Sequence, residues 1–329
     1  MAEGKSRDIT FDIMKGIGII LVMLGHTWRI CDPMVHVVNS FHMPLFFIVA
    51  GYFSKSYDDV GQGKQWSVIG HYFQRLYIPF AFATILLALW LCVKAVFSPA
   101  YWHSVITTVI SLGWASTVPL HTPWGNCSTG IVWFLITLFC SKTMFLFLSR
   151  WRKWALPVSI VLSLCGYIIG RNAVPLPFCL TQSLIVLPYI AIGWWWRRKE
   201  PPFWMILVCI VCWVLANVYS SMVLYDCRMD CYPLDLLGAC GGTYVVFLIS
   251  RMIAKYTFCL RKVLALFGMC SLAFICFHYV EINGAVGNHI LNLLHIDVSW
   301  GWQYVIRYPA TLAIAIGAMY MPGVKKIFN

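Results

Sequence analysis

Charge is what this chain has least of. Only 11% of its 329 residues are Asp, Glu, Lys or Arg, whereas a soluble domain carries about 25% to cover its surface. A soluble globular protein is excluded on that ground. Acid is scarcer still, with 12 Asp and Glu against 24 Lys and Arg and a net charge of +12. No basic groove with interleaved aromatics on a soluble face accompanies that excess, so nucleic acid is not the expected partner. There is no GxxxxGK[ST], no Rossmann fingerprint after a strand and no HExxH, which disfavours nucleotide hydrolysis and metalloprotease chemistry. No CxxC pair has a matching partner, so no metal site is expected. The basic start, Lys5 and Arg7, is followed by no A-x-A-like cleavage site. It reads as the flank of a retained first helix rather than a signal peptide.

What fills the chain is apolar. Hydrophobic residues make up 60% of it, and the mean hydropathy is +0.77. Apolar segments recur near residues 9–30, 40–54, 76–97, 103–118, 131–149, 155–170, 181–196, 203–221, 234–253, 263–283 and 303–321. The segment 103–118 is short, carries His103, Trp114 and Ser116, and runs into Pro119, Pro123 and Gly125. It is assigned to an interfacial or re-entrant element. About ten spans of ~20 residues remain. Alternate loops then hold the basic residues: Lys5 and Arg7; Lys55, Lys64 and Arg75; Arg150, Arg152 and Lys153; Arg197, Arg198 and Lys199; Arg251, Lys255, Arg261 and Lys262; Lys325 and Lys326. The positive-inside rule makes those loops and both termini cytoplasmic. The expected fold is therefore an all-α polytopic membrane protein, a single domain over residues 1–329, with about ten transmembrane helices. The fourteen cysteines mostly lie singly inside spans, where a thiol acts as a small apolar group. Cys227 and Cys231 fall in an external loop, where an oxidising compartment would permit a disulfide. Eight of the nine histidines, His26, His36, His42, His103, His121, His278, His289 and His295, fall on or near the external side, with His71 alone on the other.

Against that background, ionisable residues inside the first apolar run are costly, at roughly 2.5–3.5 kcal/mol each on insertion scales. Asp12 and Lys15 open the run and His26 closes it. Eleven positions separate Lys15 from His26, a rotation of about 1100° that is within about 20° of three full turns. The two share one helix face, ~16 Å apart along the axis. A cation at one end and a titratable base at the other suggest chemistry conducted across the bilayer. Asp12 and Lys15 also stand i,i+3, the spacing of a plain ion pair.

The stretch Arg7 to His26 resembles the opening of the acyltransferase-3 family, polytopic membrane O-acyltransferases with an Arg or Lys, ten residues, then a His. Lys15 and His26 occupy those positions. Phe41-His42-Met43-Pro44-Leu45-Phe46-Phe47 resembles the second helix of the branch associated with fucose 4-O-acetylase-like proteins. Arg75-Leu76-Tyr77-Ile78-Pro79-Phe80 resembles the third-helix entry, Trp133-Phe134-Leu135 a mid-chain motif, and Gly268 to His278 a late helix. One departure is Tyr72, which stands where many members carry the first arginine of an RxxR pair.

The resemblance implies transfer of an acyl group, commonly acetyl, from cytoplasmic acetyl-CoA to a hydroxyl of an external carbohydrate or glycolipid, in a bacterial inner membrane. Lys15 and Arg75, with Asp12 beside Lys15, would hold coenzyme A phosphates. His26 would be the general base, and its reference pKa of ~6.5 suits that duty. Glu281 and His278, three positions apart, would orient the base or bind sugar hydroxyls. His42 would lie close to His26, and Trp133 would be a platform for a sugar ring or the cofactor arm. Each has a plainer reading: an interhelical hydrogen bond for His26, an anchor for Arg75, packing for Trp133. A transporter, or a non-catalytic subunit of surface-polysaccharide assembly, is the alternative class. Against a transporter stands the lack of obvious repeats or paired Gly/Pro-broken helices.

Overall fold

The computed structural model describes residues 8–26, 32–61, 63–172, 176–287, 295 and 307–328. The described residues are mostly helical, as apolar runs must be where backbone groups find no water. In order come α1 (Ile9–Gly25), α2 (Asp32–Asn39), α3 (His42–Tyr52), α4 (Tyr57–Val60) and α5 (Gln65–Tyr72). A π-helical stretch, Phe73–Tyr77, leads into α6 (Ile78–Phe97), and α7 (Tyr101–Trp114) follows. A small antiparallel ribbon, Leu120–Thr122 with Gly125–Cys127, precedes α8 (Trp133–Leu148). Then come α9 (Ala155–Arg171), α10 (Leu180–Ile185), α11 (Leu187–Trp196), α12 (Phe203–Tyr219), α13 (Tyr232–Tyr256), α14 (Phe258–Met269), α15 (Ser271–Gly284) and the helices Tyr308–Tyr320 and Pro322–Phe328.

Among the described residues, four helical stretches are long and apolar enough to cross a membrane: Pro33–Tyr52, Gln65–Phe97, Gly130–Leu148 and Tyr232–Tyr256. A fifth results if α14 and α15 count as one span. The sequence read 263–283 as one continuous segment, but the helix breaks at Cys270 and the two halves are bent by 66°. Ala155–Arg171, Phe203–Tyr219 and Tyr308–Tyr320 are shorter apolar helices. The segment 103–118 holds α7, which ends at Ala115 in the left-handed region.

Contacts divide the chain into two compact units, each assembled from separated stretches. The first comprises Met1–Val49, Pro201–Met222 and Asp230–Ser271. In it α1 packs along α14 and α13, and α12 along α13. Ile13, Leu264 and Ala265 form a core cluster flanked by Ile17, Ile20, Ile253 and Ala254. Close backbone approach rather than bulky side chains sets the α1–α14 contact. A Cβ on Gly268 would fall 1.8 Å from the Asp12 carbonyl oxygen, and one on Gly16 would fall 2.0 Å from that of Leu264. This is how helices associate in lipid, where apolar burial gives little drive and small residues let backbones meet.

The second unit comprises Ala50–Glu200, Val223–Met229 and Leu272–Asn329. Here α6 packs on α7, α9 on α10 and α11, and α8 on the π stretch, α10 and α11. Tyr189, Phe80, Phe145 and Phe274 are fully buried in it.

Candidate active site

In the first unit, α1 carries the leading candidates. Asp8 caps the helix, its carboxylate accepting from the Thr10 N–H at 2.9 Å, which satisfies one orphan donor of the first turn. Asp12 follows one turn later, 5% exposed, and meets the Lys15 ammonium at 2.8 Å. The i,i+3 spacing lets this pair close within one helix. Lys15 keeps 27% of its side-chain surface, so the ammonium is paired yet reachable. The Gly268 contact against the Asp12 carbonyl fixes the backbone beneath it.

His26 is the C-cap of α1, its backbone N–H reaching the carbonyls of Val22 and Met23, both at 3.2 Å. Its side chain is exposed. The helix runs unbroken from Lys15 to Gly25, so the ~16 Å spacing follows from ~1.5 Å per residue. The connection to His42 holds a helix, α2, in place of a plain loop. Residues 27–31, including Arg29, lie outside the described residues. His42 opens α3, half-buried, with Nδ1 2.8 Å from the Val38 carbonyl. A carbonyl only accepts, so Nδ1 holds the proton and Nε2 carries the lone pair.

In the second unit, Arg75 stands in the π stretch, where the Ile78 N–H reaches back to the Phe73 carbonyl. Such insertions displace side chains from the regular helical register and recur at functional sites. Trp133 opens α8, 5% exposed, and meets Tyr225 edge-on with ring centres 6.2 Å apart. The Tyr225 phenol is pushed up by burial, against a hydrogen bond from Ser128.

His278 is fully buried. It stacks on Phe274 at 5.2 Å and meets Tyr308 edge-on at 5.6 Å. Its Nδ1 lies 3.5 Å from one Glu281 oxygen, and Arg307 Nε donates to the other. Glu281 is thus the centre of a His–Glu–Arg chain, of which the sequence reading named two members and missed Arg307. Its signal was available: a charged residue opening the last apolar helix.

The structure brings Asp12 to Lys15 and His278 to Glu281, and sets Arg75 and Trp133 on separate elements of the second unit. Every described cysteine is a free thiol, Cys227 and Cys231 included. His289 lies outside the described residues, as do Lys5 and Arg7.

Fold and site together define a multi-pass helical membrane protein with rare ionisable side chains paired inside apolar helices, a pattern that marks functional sites in lipid. The chain belongs to the acyltransferase-3 family, whose model, described as an acyltransferase domain, matches residues 8–320. It is also similar to two curated proteins. The nodulation protein NolL of Sinorhizobium fredii (strain NBRC 101917 / NGR234) is 43% identical over 61 residues, 16% of this chain and 17% of that protein. The nodulation protein NolL of Mesorhizobium japonicum (strain LMG 29417 / CECT 9101 / MAFF 303099) is 29% identical over 160 residues, 46% of this chain and 40% of that protein. The chain thus spans 40% or less of the length of these curated relatives. No solved structure matches it.

Proposed function

We propose that the protein is a membrane O-acyltransferase that moves an acetyl or related acyl group from cytoplasmic acetyl-CoA to a hydroxyl of an extracytoplasmic carbohydrate or glycolipid. The observation that carries this reading is α1, with the Asp12–Lys15 pair near one end and His26 at the other. Family membership supplies the reaction class. In this reading the chain is one domain over residues 1–329, crosses a bacterial inner membrane ten times and keeps both termini in the cytoplasm. The shorter apolar helices serve as crossings where the bilayer thins, a modest cost per ångström of mismatch.

His26 takes the proton of the acceptor hydroxyl as its oxygen attacks the thioester carbonyl. The new C–O bond forms, the C–S bond breaks, and coenzyme A leaves as a thiolate that recovers the proton from the imidazolium. A thiol pKa of ~8.5 makes that departure easy without a strong acid. Proton abstraction and stabilisation of the oxyanion remain the protein's tasks. In the first unit Lys15, oriented by Asp12, is a candidate contact for donor phosphate, and in the second unit Arg75 is another, each by a charge-assisted hydrogen bond. For the acceptor, the first unit offers the His42 Nε2 lone pair to a sugar hydroxyl, and the second unit separately offers the Arg307-held Glu281, His278 and the Trp133 ring.

The test is mass spectrometry of surface glycans from cells with and without the protein. Acetyl increments that require the protein support the reading, and glycan masses independent of it sink it. A tag at residue 200 is expected to be reached from the cytoplasm and one near residue 229 from outside.

A further inference from the structure

Lys142 lies in the second half of α8, and among the described residues no carboxylate pairs with it. Its ammonium sits 4.4 Å from the centre of the Tyr72 ring, a cation–π distance. One turn earlier on the same helix, Phe139 meets Phe73 edge-on at 6.0 Å. Two successive turns of α8 are thereby keyed onto the end of α5 and the start of the π stretch. Arg75 follows in that stretch, within electrostatic reach of Lys142. Lys55, Arg75 and Lys142 all act electrostatically on His71, and the Lys55 backbone lies beside the Tyr72 hydroxyl. Four basic side chains therefore share one region of the second unit. Lys55, His71 and Arg75 are exposed and Lys142 is half-buried.

Gathered cations without a carboxylate repel one another, and a lysine drawn into an apolar helix is costly unless something neutralises it. A bound anion removes both penalties. We propose that Lys142, Arg75 and Lys55 form a phosphate-binding site, occupied by the nucleotide end of the acyl-CoA donor. This rests on the acyl-CoA reading above and adds to it a ligand on α8. A phosphodiester lipid headgroup presents one charge, whereas the diphosphate and ribose phosphate of coenzyme A present several at different depths. Two exposed cations, Lys55 and Arg75, and one half-buried ammonium, Lys142, match the second pattern.

The test uses the full-length purified chain in detergent. Coenzyme A and its adenosine bisphosphate fragment are titrated by calorimetry against the wild type, Lys142→Gln, Lys142→Arg, Tyr72→Leu and, as a surface control, Lys199→Gln. Lys142→Gln is expected to weaken coenzyme A binding by about ten- to a hundredfold, as the loss of a charged hydrogen bond does. Lys142→Arg should recover most of the affinity, Tyr72→Leu should lose part of it, and Lys199→Gln should be unchanged. In a parallel arm, nanodiscs of phosphatidylglycerol are compared with nanodiscs of phosphatidylcholine. Lys142-dependent stabilisation by phosphatidylglycerol, with coenzyme A affinity unmoved in Lys142→Gln, would assign the site to lipid and overturn the donor assignment. Equal coenzyme A affinity in wild type, Lys142→Gln and Tyr72→Leu overturns the site while leaving the acyl-CoA reading standing. No coenzyme A binding by folded wild type overturns both. If Lys142→Gln fails to fold, Lys142→Arg and Tyr72→Leu decide: wild-type affinity in Tyr72→Leu counts against the proposal.

Discussion

Two lysines inserted into apolar helices meet opposite fates. On α1, Lys15 is answered three residues earlier by Asp12, 2.8 Å away, and the pair stands on a backbone clamped by Gly268. On α8, Lys142 has an aromatic ring and Arg75 within reach and, among the described residues, no carboxylate paired with it. A charge neutralised within its own helix needs nothing from outside to be stable. A cation held beside another cation does, and that difference separates a pre-organised pair from the phosphate site proposed above. It also bears on Tyr72, where the family resemblance expects an arginine. The fold carries Lys142 to the ring that replaces it.

The comparison can be broken in order of effect. The largest change is expected from His26→Ala, which removes the proposed base and should lower acyl transfer by ~10²–10⁴-fold while coenzyme A affinity stays within experimental error. Kinetics and calorimetry on the same preparation check it, and a mutant retaining most of its turnover returns His26 to a helix cap. Next is the clamp. Gly268→Ala drives a methyl into the Asp12 carbonyl, and a thermal melt should report a loss of ~1–3 kcal/mol or more. An unchanged melting temperature would mean that α1 and α14 are not in close contact.

Smaller is the loss of donor affinity in Lys15→Gln or Arg75→Ala, about ten- to a hundredfold if each donates a charged hydrogen bond to phosphate. Unchanged affinity in folded protein would make them topology anchors. The double-mutant cycle of Asp12→Asn with Lys15→Gln sharpens the contrast, since residues in contact couple by ~0.5–3 kcal/mol. A coupling near zero would show that the pair is not formed in the membrane.

The smallest effect is a pH term outside the helices. Asp59, 46% exposed, is raised by burial but lowered more by its Ser56 hydrogen bonds and by Arg198 and Arg197, and sits below the ordinary carboxylate value. A depressed carboxyl stabilises the fold above its unfolded value of ~3.9 and loses that contribution as pH falls through the folded value. Screening keeps the term under ~1 kcal/mol. Asp59→Asn should lose this small contribution at neutral pH and converge on the wild type in acid, and a wild-type stability that did not fall towards the mutant's on acidification would contradict this.

How much was legible beforehand follows the same divide. The membrane class, the start of α1 and the Asp12–Lys15 pair were readable, because composition and i,i+3 spacing are local properties, whereas the apolar run 9–30 gave no sign that the helix stops at Gly25. The bend at Cys270 was not, since nothing in the apolar run 263–283 interrupts it as Pro would. Lys142 was visible as a lone charge in an apolar helix, the same signal that singled out Lys15, yet its neighbours come from α5 and the π stretch and only the fold assembles them. Arg307 likewise acquires meaning only beside Glu281, 26 residues away in sequence.

The central claim is that donor and acceptor meet from opposite faces of the membrane. The direct measurement is incorporation of labelled acetyl from acetyl-CoA into endogenous carbohydrate, comparing sealed inside-out with sealed right-side-out membrane vesicles from cells making the protein. Label is predicted to enter only when acetyl-CoA bathes the face at which a tag at residue 200 is accessible, and to be absent in His26→Ala. Protein-dependent labelling of right-side-out vesicles from external acetyl-CoA would contradict the account.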